Sequence, residues 1–295
     1  MLDYKLIEAL AMVIQESGFE KAAGKLFVTP SAISQRIRAL EEQTGQILIN
    51  RTNPPQATEA GARILKHYRL VKRLEEDLID TFAPHENTRF VTLAVGINLD
   101  SLSTWFLDAV KDFVHEHKIL LDLRPADQDQ TDQLLKEGTV IGCVSSKDKM
   151  IQGCRMDYLG SMEYRLLATP DYLKQWFPDG ATFENISLAP LFIFDRKDEL
   201  HLQYYEKAFA ARPIELSAHY LPSSEQFLKF ILEGLGCGML PEQQSKDYLA
   251  SGELVELVQG CIVKVDLYWH CWNLKSKLLK DFSTHLVSGA KRGFG

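Results

Sequence analysis

The sequence predicts an α/β chain in two unequal parts: a small, mainly helical head and a larger body of alternating strands and helices. Three observations carry this. Residues 3–82 show helical apolar spacing, interrupted by one short strand–turn–strand segment. Residues 89–145 read strand, helix, strand, helix, strand. Between them lies Ala83-Pro84-His85-Glu86-Asn87-Thr88, polar and broken by proline, as a linker would be. A length of 295 residues fits about two domains, and a 45% hydrophobic share is ordinary for a chain with a sizeable core.

In the head, Leu6, Leu10, Val13 and Ile14 share one helical face, and Ser17-Gly18 ends that helix. A short second helix turns Ala22, Ala23 and Leu26 inward. Thr29 is placed to cap a third helix, with Pro30 at the first helical position, where its missing N–H is no loss. That helix runs from Pro30 to about Thr44. Ile33, Ile37 and Leu40 face the core, while Ser31, Ser34, Gln35 and Arg38 share the opposite face, with Arg36 at the border. Such side chains hydrogen-bond base edges and phosphates, so the face reads as the recognition surface of a helix-turn-helix, with Thr29 and Pro30 at its leading end. A merely solvated polar face would carry the same residues; the short helix before it and the basic segment after it favour recognition.

Ile47-Leu48-Ile49 and Gln56-Ala57-Thr58 read as two short strands. The turn between them, Arg51-Thr52-Asn53-Pro54-Pro55, forms a wing whose prolines, Pro55 included, stiffen the presentation of Arg51 to a phosphate or the minor groove. A long helix from Glu59 to about Phe82 follows, with Thr58 as its cap. Its stripe of Ile64, Tyr68, Val71, Leu74 and Leu78 is either a domain-packing face or a dimer seam, and the paired half-sites of DNA favour the seam. Net charge is −7, which for the whole chain argues against nucleic acid. From Lys21 to Arg73, however, ten Lys/Arg stand against three acids, and it is local charge that makes a phosphate footprint.

The body opens with a buried strand at 89–96. Asn98-Leu99-Asp100-Ser101 turns into a helix expected to run to about His117. A strand at Ile119–Pro125, a helix at 131–137 and a strand at 139–145 follow, implying parallel pairing with right-handed crossovers. A second unit spans about 169–260, with strands near 191–194, 216–219, 238–240 and 254–257 and helices around 199–211, 223–235 and 242–250. Val263–Trp272 reads as a strand and Ser276–Ala290 as a final helix.

Several classes are disfavoured. The five cysteines (143, 154, 237, 261, 271) form no CxxC pair and suit a reducing cytosol. His115 and His117 are two apart on a helix, where side chains diverge, so neither metal nor cofactor is expected. No apolar run approaches the roughly 20 residues that span a bilayer. Gly236-x-Gly238 follows a helix and enters a strand, the reverse of a dinucleotide fingerprint. No GxSxG, HExxH or triad pattern calls for an enzyme.

The head resembles the LysR-type transcriptional regulators. The residues that carry the likeness are Phe19, Ala22-Ala23, Leu26, Thr29-Pro30-Ser31-Ala32-Ile33-Ser34, Gln35, Ile37, Leu40-Glu41, Gly45, Leu48, Arg51 and Thr58-Glu59-Ala60-Gly61. It continues through Gly234-x-Gly236-x-Gly238-Met239-Leu240-Pro241. More narrowly, Asn98-x-Asp100-Ser101-Leu102-x-Thr104-Trp105, Phe194-Asp195, Ser223-Ser224-Glu225-x-Phe227 and Leu267-Tyr268-Trp269-His270 resemble the ArgP/LysG branch, which responds to lysine or arginine and includes a chromosome-initiation inhibitor. The resemblance implies a winged helix-turn-helix over 1–58, a linker and dimerisation helix with hinge over 59–88, and an effector-binding domain over 89–295. The last would be a type-2 periplasmic-binding-protein-like sensor of two Rossmann-like subdomains, I at about 89–145 and 263–295 and II at about 150–260. Its crossovers are expected near 145–149 and near 169–170 or 260–263. It further implies a dimer of dimers on double-stranded DNA, in the cytoplasm, with RNA polymerase as a further partner.

Ligands of open parallel sheets bind beyond the carboxyl ends of strands. Asn98, Asp100, Ser101 and Ser103 lie there after the first body strand, Ser145 ends the third, and Ser223-Ser224 hold the matching place in the second unit, opening a helix. Serines and helix amides suit a carboxylate; a cationic amino acid also needs at least one acid. Asp100 and Glu225 are the expected cation partners, with Asp195 and Asp127 behind them and Trp269 as a wall of the pocket. For each acid a helix cap or a solvated surface charge is the competing explanation. Two alternatives to a ligand-gated regulator stay open. One is a small-molecule-binding protein or enzyme with an N-terminal interaction module. The other is a sequence-tolerant nucleoid or replication-origin binder with steep salt dependence.

Overall fold

A computed structural model describes residues 2–82, 90–125 and 131–294; the expected linker at 83–88 and Asp127 lie outside them. The head begins with α1 (Tyr4–Gln15), capped by Asp3, whose side chain accepts from the Lys5 amide. Then come α2 (Phe19–Lys25) and α3 (Pro30–Thr44). The third helix has the predicted bounds because both stop signals are local. Thr29 Oγ1 accepts from the Ala32 amide at 3.2 Å, and Gly45 closes the helix in the left-handed region that glycine tolerates. Strands β1 (Ile49–Asn50) and β2 (Gln56–Ala57) pair antiparallel as the wing, one to two residues later than the first was expected. The long helix α4 (Glu59–Phe82) starts against the wing so closely that any side chain at Gly61 would strike the Leu48 carbonyl.

The expected stripe on α4 divides. Leu65 is buried in the head core with Ile7, Leu10, Ile33, Ile37 and Leu40, and Ile64 and Tyr68 pack against the same cluster. Leu70 packs on the body instead. Leu74, Leu78 and Ile79 are exposed.

The body opens with β3 (Val91–Ile97). The single helix expected next is broken: α5 (Leu99–Ser103) and α6 (Phe106–Glu116) flank Thr104, whose hydroxyl donates back to the Asp100 carbonyl at 2.6 Å, and Trp105, buried against Phe294. Next are β4 (Ile119–Pro125), α7 (Thr131–Lys136) and β5 (Gly142–Ser145), with β3 parallel to both strands. A fifteen-residue strand with no counterpart in the sequence reading follows, β6 (Cys154–Ala168). Subdomain II contains α8 (Pro170–Trp176), α9 (Phe183–Leu188), β7 (Leu191–Ile193), α10 (Leu200–Phe209), β8 (Ala218–Tyr220), α11 (Ser224–Leu232), β9 (Cys237–Pro241), α12 (Glu242–Ser251) and β10 (Val255–Glu256). The chain returns through β11 (Ile262–Trp272) and closes with α13 (Lys277–Gly293).

The body strands form one mixed sheet in the order β4-β3-β5-β11-β6-β9-β7-β8, with β10 beside β6. At its centre β6 and β11 run antiparallel from Ile262↔Arg165 to Trp272↔Cys154. The crossovers are therefore these two long strands, not the short segments expected near 145–149, 169–170 or 260–263. Among the described residues, no helix is long and apolar enough to cross a membrane.

Candidate functional site: a DNA-reading head and an acidic cleft

The polar face of α3 is open. Ser31, Gln35 and Arg38 are exposed, and Ser34 and Arg36 are half-buried over the Ile33–Ile37–Leu40 core edge. Pro30 is exposed at the leading turn. Thr29 Oγ1 is engaged with the Ala32 amide and with Ser31 Oγ at 3.0 Å, so its side chain acts first as a cap. In the wing, Thr52 Oγ1 donates to the Pro54 carbonyl at 2.7 Å. Pro55 is half-buried, and the exposed Arg51 guanidinium lies 6.0 Å over the Phe19 ring. Backbone turns and one aromatic face thus hold a cation beside the recognition helix without neutralising it.

A second site is the cleft of about 1070 Å³ between the two halves of the body. Its walls come from the carboxyl ends of β3 (Asn98, Asp100), β5 (Ser146, Asp148) and β7 (Phe194 to Asp198), from the start of α11 (Ser224), and from β11 (Lys264 to Tyr268). This is where ligands of open sheets bind. Asp100, Asp148, Asp195, Asp198, Glu199 and Asp266 line it against two lysines, Lys197 and Lys264. The cleft therefore favours a cation.

Asp100 ties the halves together. Its carboxylate accepts from Ser224 Oγ at 2.5 Å and from the fully buried Tyr164 hydroxyl at 2.8 Å. A second tie runs from Gln244 Nε2 of α12 to Ser103 Oγ at 3.2 Å. Asp198 accepts from the Leu200 amide at 2.9 Å and the Phe194 amide at 3.4 Å. Burial nevertheless holds its carboxyl above the usual range; those two amides pull down, and the charges of Asp100 and Asp195 push up. Nearby polar atoms lack partners: Asn98 Oδ1, Gln244 Oε1 and His201 Nδ1 are buried without a hydrogen bond. Burial alone lowers the His201 imidazole to about 4.

Several expected residues sit elsewhere. Glu225 is exposed on α11 and does not line the cleft, because Ser224, Phe227 and Ile231 take the buried face and the next residue points away. Trp269 is no wall of the pocket. It lies in the core on the other side of the sheet, donating from Nε1 to Ser283 Oγ at 2.9 Å, while strand alternation puts Tyr268 in the cleft. Ser101 is buried with its hydroxyl toward Met162, and Ser145 is buried with Oγ accepting from the Lys147 amide, so both stand behind the wall. Ser223 Oγ caps α11 through the Gln226 amide. Asp195 lines the cleft, but its Oδ1 is spent on the Lys197 and Asp198 amides. Asp198, Tyr164, Gln244 and Asp266 join the cleft without a local motif that marks them. Asp198 sits in an ordinary charged turn that carries no signal, and Tyr164 lies on the unrecognised β6. His117 stacks on Phe113 at 4.1 Å rather than facing His115.

A helix-turn-helix joined by one long helix to a two-lobed α/β cleft defines an effector-gated DNA-binding regulator. Residues 4–62 match the family model described as bacterial regulatory helix-turn-helix protein, lysR family, and residues 91–290 match the LysR substrate binding domain. The chain belongs to the LysR family of transcriptional regulators. It is 38% identical over 291 residues to the HTH-type transcriptional regulator ArgP of Aeromonas salmonicida, covering 99% of this chain and 97% of that one. Among solved structures it resembles ArgP from Mycobacterium tuberculosis at a TM-score of 0.89 and 34% identity, over 98% of both chains. Full-length LysG from Corynebacterium glutamicum, solved with bound effector Arg, superposes at a TM-score of 0.80 with 31% identity over 99% of both chains.

Proposed function

We propose that this chain is a cytoplasmic regulator gated by arginine or lysine, controlling genes of amino-acid export or metabolism. The observation that carries the effector class is the charge of the cleft, six acids against two lysines. The effector Arg in the LysG structure supports the same reading. The ligand cation sits between Asp100 and Asp198, which both line the cleft and whose charges repel one another. Asn98 Oδ1 and Gln244 Oε1 accept from its remaining N–H groups, and Lys197 or Lys264 meets the α-carboxylate. Binding bridges the two halves of the body beside the Asp100–Ser224 tie, shifts one half against the other, and re-aims the heads. Leu74, Leu78 and Ile79 of α4 form the dimer seam, and pairs of dimers grip two half-sites and meet RNA polymerase.

Calorimetric titration of the full chain with a panel of amino acids tests the effector. Saturable binding of arginine or lysine and none of glutamate is expected; indifference to charge sinks the reading. Asp198→Asn should weaken arginine binding about tenfold to a hundredfold, the worth of a hydrogen bond to a charged group. A cation favours ionised Asp198, so affinity falls as pH drops into the range where this raised carboxyl takes up a proton. Asp198→Asn should remove this part of the pH dependence, and a pH profile of arginine affinity that the variant leaves unchanged would remove Asp198 from the site.

A further inference from the structure

The segment between β5 and β6 has two sides. Ser146 and Asp148 line the effector cleft. Lys147 and Lys149, with Met150, Ile151 and Gln152, line a separate cavity of about 660 Å³, closed by Lys66 of α4 and by Asp132 and Lys136 of α7. The segment is anchored between them: the Lys147 amide donates to Ser145 Oγ at 3.2 Å, and the Lys147 carbonyl meets Nε2 of the buried His270 at 2.9 Å. This second cavity lies on the joint between the DNA-reading part and the sensor. Lys66 packs its stem against Gly138 and its ammonium 4.3 Å over the Trp272 ring. Leu70 packs on the cluster of Leu135, Val140 and Trp272, and Arg69 Nη1 donates to the Glu137 carbonyl at 3.0 Å.

Four lysines from three elements thus face one cavity. Among the described residues that line it, Asp132 is the one carboxylate, and its Oδ2 is already paired with Lys147 Nζ at 3.2 Å. The other oxygen of Asp132 is buried without a hydrogen-bond partner. Concentrated positive charge in a chain of net −7, at a cavity whose one carboxylate is already paired with Lys147, suits a ligand with several negative charges. We propose that this cavity is a second ligand site that takes a small multivalent anion of the organophosphate kind and clamps α4 to the sensor. The shared segment couples it to the effector cleft, and linkage makes that coupling reciprocal.

The probes are inorganic pyrophosphate and ATP, titrated into the whole 295-residue chain at fixed ionic strength without divalent metal, because surface charge is screened over about 10 Å at 0.1 M salt. The expected result is saturable binding of one anion per chain, tighter for ATP, which carries one more phosphate than pyrophosphate. Lys136→Gln with Lys149→Gln should weaken it at least tenfold with unchanged thermal melting, both side chains being exposed. Binding that is absent at fixed ionic strength, or unmoved by the double variant, overturns the proposal. So does a double variant that loses operator affinity in anion-free buffer, for the lysines would then touch DNA phosphate. Coupling rests on the arginine reading and is measured apart: saturating pyrophosphate should change arginine affinity at least threefold in the native chain and leave it unchanged in the double variant. Failure of arginine to bind would leave the anion titration standing on its own.

Discussion

The head and the cleft are built on opposite principles. The head core draws on residues 7 to 65, and the candidate recognition surface lies between Thr29 and Pro55. The cleft assembles side chains from Asn98 to Tyr268, contributed by both halves of the body. The head leaves most of its polar face open over an apolar core; the cleft gathers half-buried acids beside a buried amide, Asn98, and a buried imidazole, His201. A surface that reads a fixed polyanion can be rigid and local. A cleft that must register a small molecule needs parts that move relative to each other, and those parts come from far apart in the chain. Among the described residues α4 belongs to both, giving Leu65 to one core and Leu70 to the other.

If the cores are energetically separate, each can be broken alone. Trp269→Ala removes a ring buried at the sheet centre, packed on Phe282 and directly over Gly142, where no side chain would fit. It should destabilise the body by about 3–5 kcal/mol. Ile37→Ala should destabilise the head by about 2–5 kcal/mol. All four tryptophans lie beyond residue 100, so tryptophan fluorescence reports only the body in a urea titration of the full chain. Ile37→Ala is expected to leave the fluorescence transition in place while helicity is lost early. If both signals shift together, the two regions unfold as one unit.

The next effect is confined to the cleft. His201 ordinarily titrates near 6.5, and burial lowers it to about 4 in the fold. Between those values the unfolded chain binds the extra proton. The stability contributed by neutral His201 is therefore complete above 6.5 and lost as pH falls toward 4, on the order of 3 kcal/mol at most. His201→Gln should flatten this part of the stability–pH curve for the body; an unchanged slope would mean another group carries it. In the head, Gln35→Ala or Arg38→Ala should lower discrimination between operator and random DNA by about 1–3 kcal/mol for each base-edge hydrogen-bond pair removed, with arginine binding untouched.

How far the sequence was legible follows the same division. The bounds of α3, α4 and β4 could be read because caps, Pro30, Gly45 and apolar spacing are local signals. The break at Thr104-Trp105 could not be read, since Trp105 turns inward for the sake of Phe294, far along the chain. The strand β6 is bracketed by Gly153 and by Thr169-Pro170, and Met162, Tyr164, Leu166 and Ala168 alternate toward the interior, but Gly160-Ser161 and the charged Arg155, Asp157, Glu163 and Arg165 break up its apolar run. In the cleft, Asn98, Asp100 and Ser224 were placed by the strand-end rule. Trp269 and Glu225 were misplaced where periodicity held the answer: one step along a strand, or 100° around a helix, faces the other way. Asp198 was invisible because a turn aspartate becomes a cleft acid only when β3 and β7 converge.

The smallest effect separates the two roles of Thr29. Its Oγ1 caps α3 through the Ala32 amide at 3.2 Å and also meets Ser31 Oγ at 3.0 Å. As a cap alone, Thr29→Ala should destabilise the head by about 1 kcal/mol, and Thr29→Ser, which keeps the oxygen, should restore it. If the side chain also touches DNA, Thr29→Ala would lose operator affinity beyond what the fraction of unfolded head explains. Measured at a temperature where the head is fully folded, an unchanged operator affinity would assign Thr29 to the scaffold and leave recognition to Gln35, Arg38 and the wing.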